Sequence, residues 1–298
     1  MTDRVADLDR RRVRAAFQHA AKSYDSAAVL QREIGDRLME RLDIIRHSPD
    51  RILDAGSGTG YCTHALSRRY PQARVVGVDV APGMAREAAR RRRRGFLPGR
   101  GGREDHVCGD AESLPVASAS MDMVVSNLML QWCSPDAVFS EFRRVLRPGG
   151  LLMFTSFGPD TLGELRSAWG SVDGAPHVHD FIDMHDLGDA LMRAGFAGPV
   201  MDVERLVLTY PRVLDMLRDL KAIGARNAVR GRHPGLTGKD RFAGFCSAYE
   251  AMAGADGRIS ASYEIVYGHA WAPTGRTGSS DMPAGTVTVA LSRITRRG

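Results

Sequence analysis

The run Arg51-Ile-Leu-Asp-Ala-Gly-Ser-Gly-Thr-Gly60 constrains this chain more than any other stretch, because an apolar segment of strand length ends in an acid and then places glycine at alternate positions. Gly56, Gly58 and Gly60 let the backbone bend sharply and approach a ligand closely, where any Cβ would collide. A helix is predicted over about 61–69, and its first N–H groups, unbonded within the helix, suit a polar or anionic ligand group. The Gly-x-Gly-x-Gly spacing differs from the Gly-x-Gly-x-x-Gly of nicotinamide dinucleotide sites.

Three downstream segments extend the pattern. Arg74-Val-Val-Gly-Val-Asp79 predicts a second strand ending in an acid, placed to hold both hydroxyls of a ribose; His106-Val-Cys-Gly-Asp-Ala111 predicts a third, and Met121-Asp-Met-Val-Val-Ser-Asn127 a fourth. A single Asp at a strand end often serves only as a turn or helix cap. Asp54, Asp79, Asp110 and Asn127 in order, at strand–helix–strand spacing, instead define one edge of a parallel sheet, outside which ligands of such sheets sit. The pattern resembles class I S-adenosylmethionine-dependent methyltransferases. That resemblance implies an α/β, Rossmann-like, seven-stranded sheet with helices on both faces, and S-adenosyl-L-methionine as cofactor.

The chain has 298 residues with 43% hydrophobic content, enough for one substantial core. It contains no apolar run near the ~20 residues that cross a bilayer, and the arginine-rich start at Arg10–Arg14 has no apolar region after it, so no membrane association and a cytoplasmic location are expected. Cys62, Cys108, Cys133 and Cys246 show neither pairing nor metal spacing; no metal is expected. The net charge is +6, carried almost entirely by arginine since only Lys22, Lys221 and Lys239 are lysines, which favours an acidic partner. The densest run, Arg90–Arg94 leading into a glycine-rich loop that ends at Gly102, has no interleaved aromatics for stacking on bases, so nucleic acid is not the expected partner.

Periodicity organises the rest. Residues 9–45 read as helical, with Val29, Leu30, Ile34, Leu38 and Leu42 at spacings near three and four. Helices are predicted over about 84–94 and 135–146, the latter stopped by Arg147-Pro-Gly-Gly150 before a strand over 151–156. Further helices fall at 160–170, 183–194, 211–228 and 238–253, and strands at 201–208 and 260–271. The expected division is an N-terminal helical cap (1–45), a methyltransferase domain (46–271) carrying a helical substrate insertion between its sixth and seventh strands (about 211–255), and a C-terminal tail (272–298) with a short strand-like run at 286–291.

A closer resemblance rests on Phe17-x-x-Ala-Ala-x-x-Tyr24, Asp110-Ala-Glu-Ser-Leu-Pro115, Ser126-Asn-Leu-Met-Leu-Gln-Trp132, the Arg144–Gly150 turn, Pro176-His-Val-His-Asp-Phe181 and Leu220-Lys-Ala-Ile-Gly-Ala225. Together these resemble the BioC family, malonyl-acyl-carrier-protein O-methyltransferases of biotin synthesis. The same scaffold partly resembles a complex I assembly factor that hydroxylates a protein arginine, and methylation of another small carboxylic acid is a further alternative. The BioC resemblance implies that Asp54 and the Gly56, Gly58 and Gly60 turn hold the methionine part of the cofactor, Asp79 the ribose, and Asp110 with Ala111 the adenine. It further implies that Asn127 and Leu128 line the methionine side and that Tyr24 closes over the sulfonium. Gln131 and Trp132 would shape the reaction pocket. Lys221, Arg226, His177 and His179 are candidates for meeting the acceptor carboxylate, Lys221 foremost. The implied partner is an acidic acyl-carrier protein bearing a malonyl thioester.

Overall fold

Residues 8–94, 103–230, 235 and 237–275 are described in a computed structural model of the chain. Residues 95–102 of the arginine–glycine loop and the run at 286–291 lie outside them. Seven strands, β1 (Arg51–Ala55), β2 (Arg74–Asp79), β3 (Arg103–Cys108), β4 (Met121–Ser126), β5 (Leu146–Phe157), β6 (Ala197–Tyr210) and β7 (Ile259–Trp271), form one sheet in the order β3-β2-β1-β4-β5-β7-β6. The first five run parallel; β7 is inserted antiparallel between β5 and β6. The order reverses between β1 and β4, and that switch point is where a parallel sheet opens a crevice for ligand.

Period-2 alternation divides the side chains between two layers. Ile52 of β1 and Met123 and Val125 of β4 face one side and pack on Ile34 and Leu38 of α3 (Val29–Arg41). Leu53, Ala55 and Val124 face the other side and pack on Phe139 and Phe142 of α6 (Pro135–Val145). Each large apolar side chain fully buried in this way contributes about 1.5–3 kcal/mol. The first layer also holds α4 (Tyr61–Arg69), α7 (Gly163–Gly170), α9 (Val213–Ala222) and α10 (Lys239–Glu250), and the second holds α8 (Met184–Arg193). Three more helices precede or flank the switch point: α1 (Arg10–Ala20), α2 (Tyr24–Ala27) and α5 (Pro82–Arg94). Asp9 caps α1 by accepting from the N–H groups of Arg11 and Arg12 at 3.0 and 3.2 Å, and Pro82 opens α5, where a missing N–H costs nothing. Among the described residues no helix is long and apolar enough to cross a membrane.

Several elements differ from the sequence reading: β3 spans Arg103–Cys108, so Asp110 lies two residues past its end rather than within it, and the stretch read as helical over 9–45 breaks into α1, α2 and α3. The fifth strand begins at Leu146 rather than after the Pro-Gly-Gly turn, because Leu146 already pairs with Met121 ahead of a register shift in β4. The helix expected over 211–228 ends at Ala222: Gly224 takes φ 78°, and Ala225 N–H reaches back to Leu220 O at 2.9 Å, closing the helix end.

One pair of glycines tests the packing. Gly268 of β7 faces Phe154 of β5 directly in register, and a Cβ built on it would lie 2.2 Å from the ring. Phe154 is itself fully buried against Phe139, with ring centroids 5.3 Å apart, so the ring has nowhere to go. In α8, by contrast, a Cβ on Gly188 meets nothing within 4 Å. Gly268→Ala is expected to destabilise by about 1–3 kcal/mol through overpacking, whereas Gly188→Ala gains about 0.5–1 kcal/mol of helix propensity. Urea unfolding of the two variants checks the opposite signs.

Candidate functional site

The glycine turn after β1 is held open by the residues around it. Gly56, Gly58 and Gly60 adopt φ of 74°, 54° and 83°, and a Cβ on Gly56 would fall 2.4 Å from Met129 Cγ. The N–H groups of Gly56 and Ser57 both donate to Val78 O, at 2.8 and 3.0 Å, tying the turn to the end of β2. There the Asp79 carboxylate accepts from Gly58 N–H at 2.9 Å and from Ala81 N–H at 2.8 Å. Its remaining lone pairs face a cavity of about 330 Å³ lined by Gly56, Gly58, Asp79, Asp110, Ala111, Asn127 and Leu128. Asp79 is half-buried at the edge of that cavity, and desolvation pushes its carboxyl up to about 6.

Asp54 stands apart from the other acids. It is 1% exposed, does not line the cavity, and accepts a 2.6 Å hydrogen bond from Thr63 Oγ1 of α4. Burial, reinforced by the nearby Asp79 charge, pushes it up to about 6. Expected to contact ligand, Asp54 instead braces the turn from beneath. Gly60, also outside the lining, caps the start of α4, and a Cβ on it would lie 3.0 Å from Ala88 Cβ and 3.1 Å from the His106 ring.

The roof comes from the N-terminal helices. Arg10, Val13, Arg14 and Phe17 of α1 and Tyr24 of α2 cover the cavity. Arg10 bridges to Asp110 at 2.6 Å and to Glu112 at 2.7 Å, while Gln18 accepts from Gly83 N–H at 2.6 Å, so α1 is pinned to both sides of the opening. The sequence reading took the Arg10–Arg14 run only as a charged start; its role here depends on acids a hundred residues away.

A second cavity of about 90 Å³ adjoins the first. Phe17, Tyr24, Leu128 and Trp132 line both and form the wall where they meet. Leu128 holds φ 51°, a strained value for a branched side chain. It is kept there by a chain of bonds: its N–H donates to Thr155 Oγ1 at 2.9 Å, and Thr155 donates to Asn127 Oδ1 at 2.7 Å. Gln131, 3% exposed, donates from Nε2 to Leu128 O at 2.7 Å. Trp132 packs edge-on against Phe17 with centroids 5.4 Å apart and tilts over His179 at 4.9 Å. Burial pushes the Tyr24 phenol upward, so it stays protonated at neutral pH.

Beyond this wall the second cavity is largely aromatic and aliphatic, with Phe157, Phe181 and Tyr263 among its lining residues. His177 and His179 both border it but do different work. His177 bonds Asp173 at 2.9 Å and stacks on Trp169 at 3.8 Å. Asp173 also pairs with Arg241 and is held well below the usual carboxylate range, chiefly by that bond. Burial pushes His179 down to about 4, so its ring is neutral. Lys221 is exposed and lines neither cavity, since the inward position on α9 belongs to Leu220; Arg226, past the glycine that ends the helix, does border the second cavity. Gln31, Phe157 and Tyr263 were not singled out from sequence. Their helix and strand periodicity marks them as inward-facing, but nothing in that spacing distinguishes a cavity wall from core.

Residues 53–154 match a family model described as a methyltransferase domain. Among solved structures, the YcgJ protein from Bacillus subtilis superposes with a TM-score of 0.55 over 80% of this chain and 99% of that one at 15% identity, a likeness of fold. A malonyl-(acyl-carrier protein) O-methyltransferase from Laribacter hongkongensis is 57% identical over 90% of this chain and 91% of its own. One of the same name from Nitrosospira multiformis is 49% identical over 91% of each. Identity of that degree over about nine-tenths of both chains means that this chain belongs to the malonyl-(acyl-carrier protein) O-methyltransferase family.

Proposed function

We propose that this protein methylates the free carboxylate of malonyl-acyl-carrier protein, with S-adenosyl-L-methionine as methyl donor, giving a methyl ester early in biotin synthesis. The observation that carries the reading is the pair of cavities meeting at one wall, polar and acid-edged on one side and aromatic on the other. The names of relatives at 49–57% identity favour it over an arginine hydroxylase or a methyltransferase of another acid. S-adenosylmethionine, when bound, supplies an electrophilic methyl group on a cationic sulfur.

The cradle fits that group. Asp79 offers acceptor lone pairs to a ribose diol, the space at Gly56 and Gly58 admits the methionine end beside Asn127 and Leu128, and Asp110 with Ala111 borders the adenine end. Asp54 and Gly60 support the turn from behind. Tyr24, Leu128, Trp132 and Phe17 exclude water from the meeting wall, and Gln131 fixes Leu128 in place. The acceptor is a carboxylate, already ionised at neutral pH, so no residue need act as general base. Neutral His179 and the protonated Tyr24 phenol are consistent with that, leaving alignment and water exclusion as the contributions of the chain. Masking the acid as an ester would let the acyl chain enter apolar elongation pockets, where an unpaired carboxylate is costly. On this reading residues 1–45 act as the cap, α9 and α10 as the substrate insertion, and the +6 surface as the attraction for an acidic carrier in the cytoplasm.

Incubation with S-adenosylmethionine and malonyl-acyl-carrier protein should add one methyl group to the intact carrier by mass spectrometry, and none to an acetyl-carrier control. Methylation of both, or of neither, removes the proposal. Cofactor binding carries its own test. Asp79→Ala should weaken S-adenosylhomocysteine binding about 10–100-fold in calorimetry, the loss of hydrogen bonds to a charged acceptor. The ionised carboxylate is the form that accepts from hydroxyls, so affinity should be flat above pH 6 and fall up to about tenfold per unit below it, a step absent in Asp79→Asn. For the ligand-free fold the sign is opposite. Asp54 and Asp79 hold protons to about 6 against an ordinary 3.8, so the native state binds more protons than the unfolded chain, and both destabilise the empty fold as pH rises through that window.

A further inference from the structure

Three buried polar atoms on residues lining the second cavity have no hydrogen-bond partner among the described residues: Gln31 Oε1, Gln131 Oε1 and His179 Nε2. They come from three separate elements, α3, the turn after β4 and the loop before α8. A buried polar atom left unbonded is costly, and native structures satisfy such groups with protein, ordered water or a bound ligand. The orientation of Gln131 is set by its own bond: with Nε2 donating to Leu128 O, Oε1 is the atom left without a partner. The wall around these atoms is Phe157, Phe181 and Tyr263.

This polarity is wrong for an anion. Carbonyl oxygens present the negative ends of their dipoles, His179 is neutral, and the one lining cation among the described residues, Arg226, is exposed. A carboxylate lodged here would meet acceptors. A neutral group bearing both an N–H and a C=O would satisfy the set, the N–H donating to a glutamine oxygen and the C=O accepting from His179 Nε2–H. The acceptor carboxylate then belongs at the meeting wall, and the part of the substrate behind it occupies this cavity.

We propose that the second cavity is a subsite for the secondary amide that follows the thioester in the acceptor's arm, read by Gln31, Gln131 and His179. The assignment rests on the methyltransferase reading above. It makes the protein selective for malonyl thioesters whose thiol carries an amide a few bonds from sulfur, and it orients the acid toward the donor side by placing the neutral arm behind it.

The test is competition in the malonyl-carrier methylation assay between two small thioesters of equal chain length. One is the malonyl thioester of N-acetylcysteamine, which has the amide; the other is the malonyl thioester of pentanethiol, which lacks it. Either can compete whether or not it is turned over. The inhibition constant should be at least about tenfold lower for the amide-bearing compound, the equivalent of a single well-made hydrogen bond or two. In a protein carrying His179→Phe with Gln31→Met, the ratio should fall toward one while S-adenosylhomocysteine affinity stays within about twofold, the Phe ring keeping the contacts of His179 with Trp132 and Phe181. Equal inhibition constants in the unaltered protein, competition by neither compound, or a ratio unmoved in the double variant each overturns the subsite while leaving carrier methylation standing. Absence of carrier methylation itself overturns both.

Discussion

The Asp79 carboxylate is the point on which the site depends. It closes two backbone N–H groups, from Gly58 and Ala81, that belong to different turns, so one side chain fixes the spacing between the ends of β1 and β2. The turn cannot collapse inward because Met129 fills the space beside Gly56, and it cannot swing outward because Val78 O holds Gly56 and Ser57. Desolvation opposes the charge that these bonds require, which is why the group sits near neutrality of preference rather than deep in the ionised range. A ligand that donates further hydrogen bonds would shift that balance toward the carboxylate.

The roof is built on a different physical basis. Where the floor is backbone tied to backbone within a parallel sheet, α1 is held over the opening mainly by side chains, through the Arg10 bridges to Asp110 and Glu112, the Gln18 contact with Gly83 and the edge-on packing of Phe17 on Trp132, with one backbone bond from Asp9 N–H to Ala228 O at its start. The bridges are partly exposed, and pairs of that kind contribute little net stability. A cover held by weak polar contacts over a rigid floor is the arrangement expected where a small molecule must enter and leave.

Much of this was legible in the sequence because it depends on local rules. Alternating apolar residues gave the strands, glycine at 56, 58 and 60 gave the turn, and the acids after β2 and β3 marked the ligand edge. What failed to read out depended on phase and on distance. Lys221 and Leu220 are adjacent, and only the packing of α9 decides which points inward; Asp54 has the same setting as Asp79 at a strand end, yet it is buried and taken up by Thr63 in the first turn of α4, across the glycine turn. α9 ends at Ala222, shortly before Gly224 turns left-handed, whereas periodicity alone extends the helix straight through to 228; Arg226, beyond that turn, borders the cavity. Gln31 was lost for a related reason: its helix position marks it as inward-facing, while the unpaired state of its oxygen exists only after the sheet, the loop and α3 come together.

The two cavities divide the chemistry by polarity as well as by position. The larger is edged by acids and backbone N–H groups; the smaller contains neutral acceptors within an aromatic wall. An anionic group is disfavoured deep in the smaller by its carbonyl oxygens, while the larger carries both the acids Asp79 and Asp110 and the arginines Arg10 and Arg14. The wall of Phe17, Tyr24, Leu128 and Trp132 between them is uncharged, and a cationic sulfur bound beside it would draw a carboxylate there. A carboxylate held there is poorly solvated and correspondingly reactive. The strained φ of Leu128 belongs to the same account: Leu128 lines both cavities, and the Thr155–Asn127 chain that holds it ties the wall to Asn127 of the larger cavity, which also donates to Gln31 O at 2.9 Å.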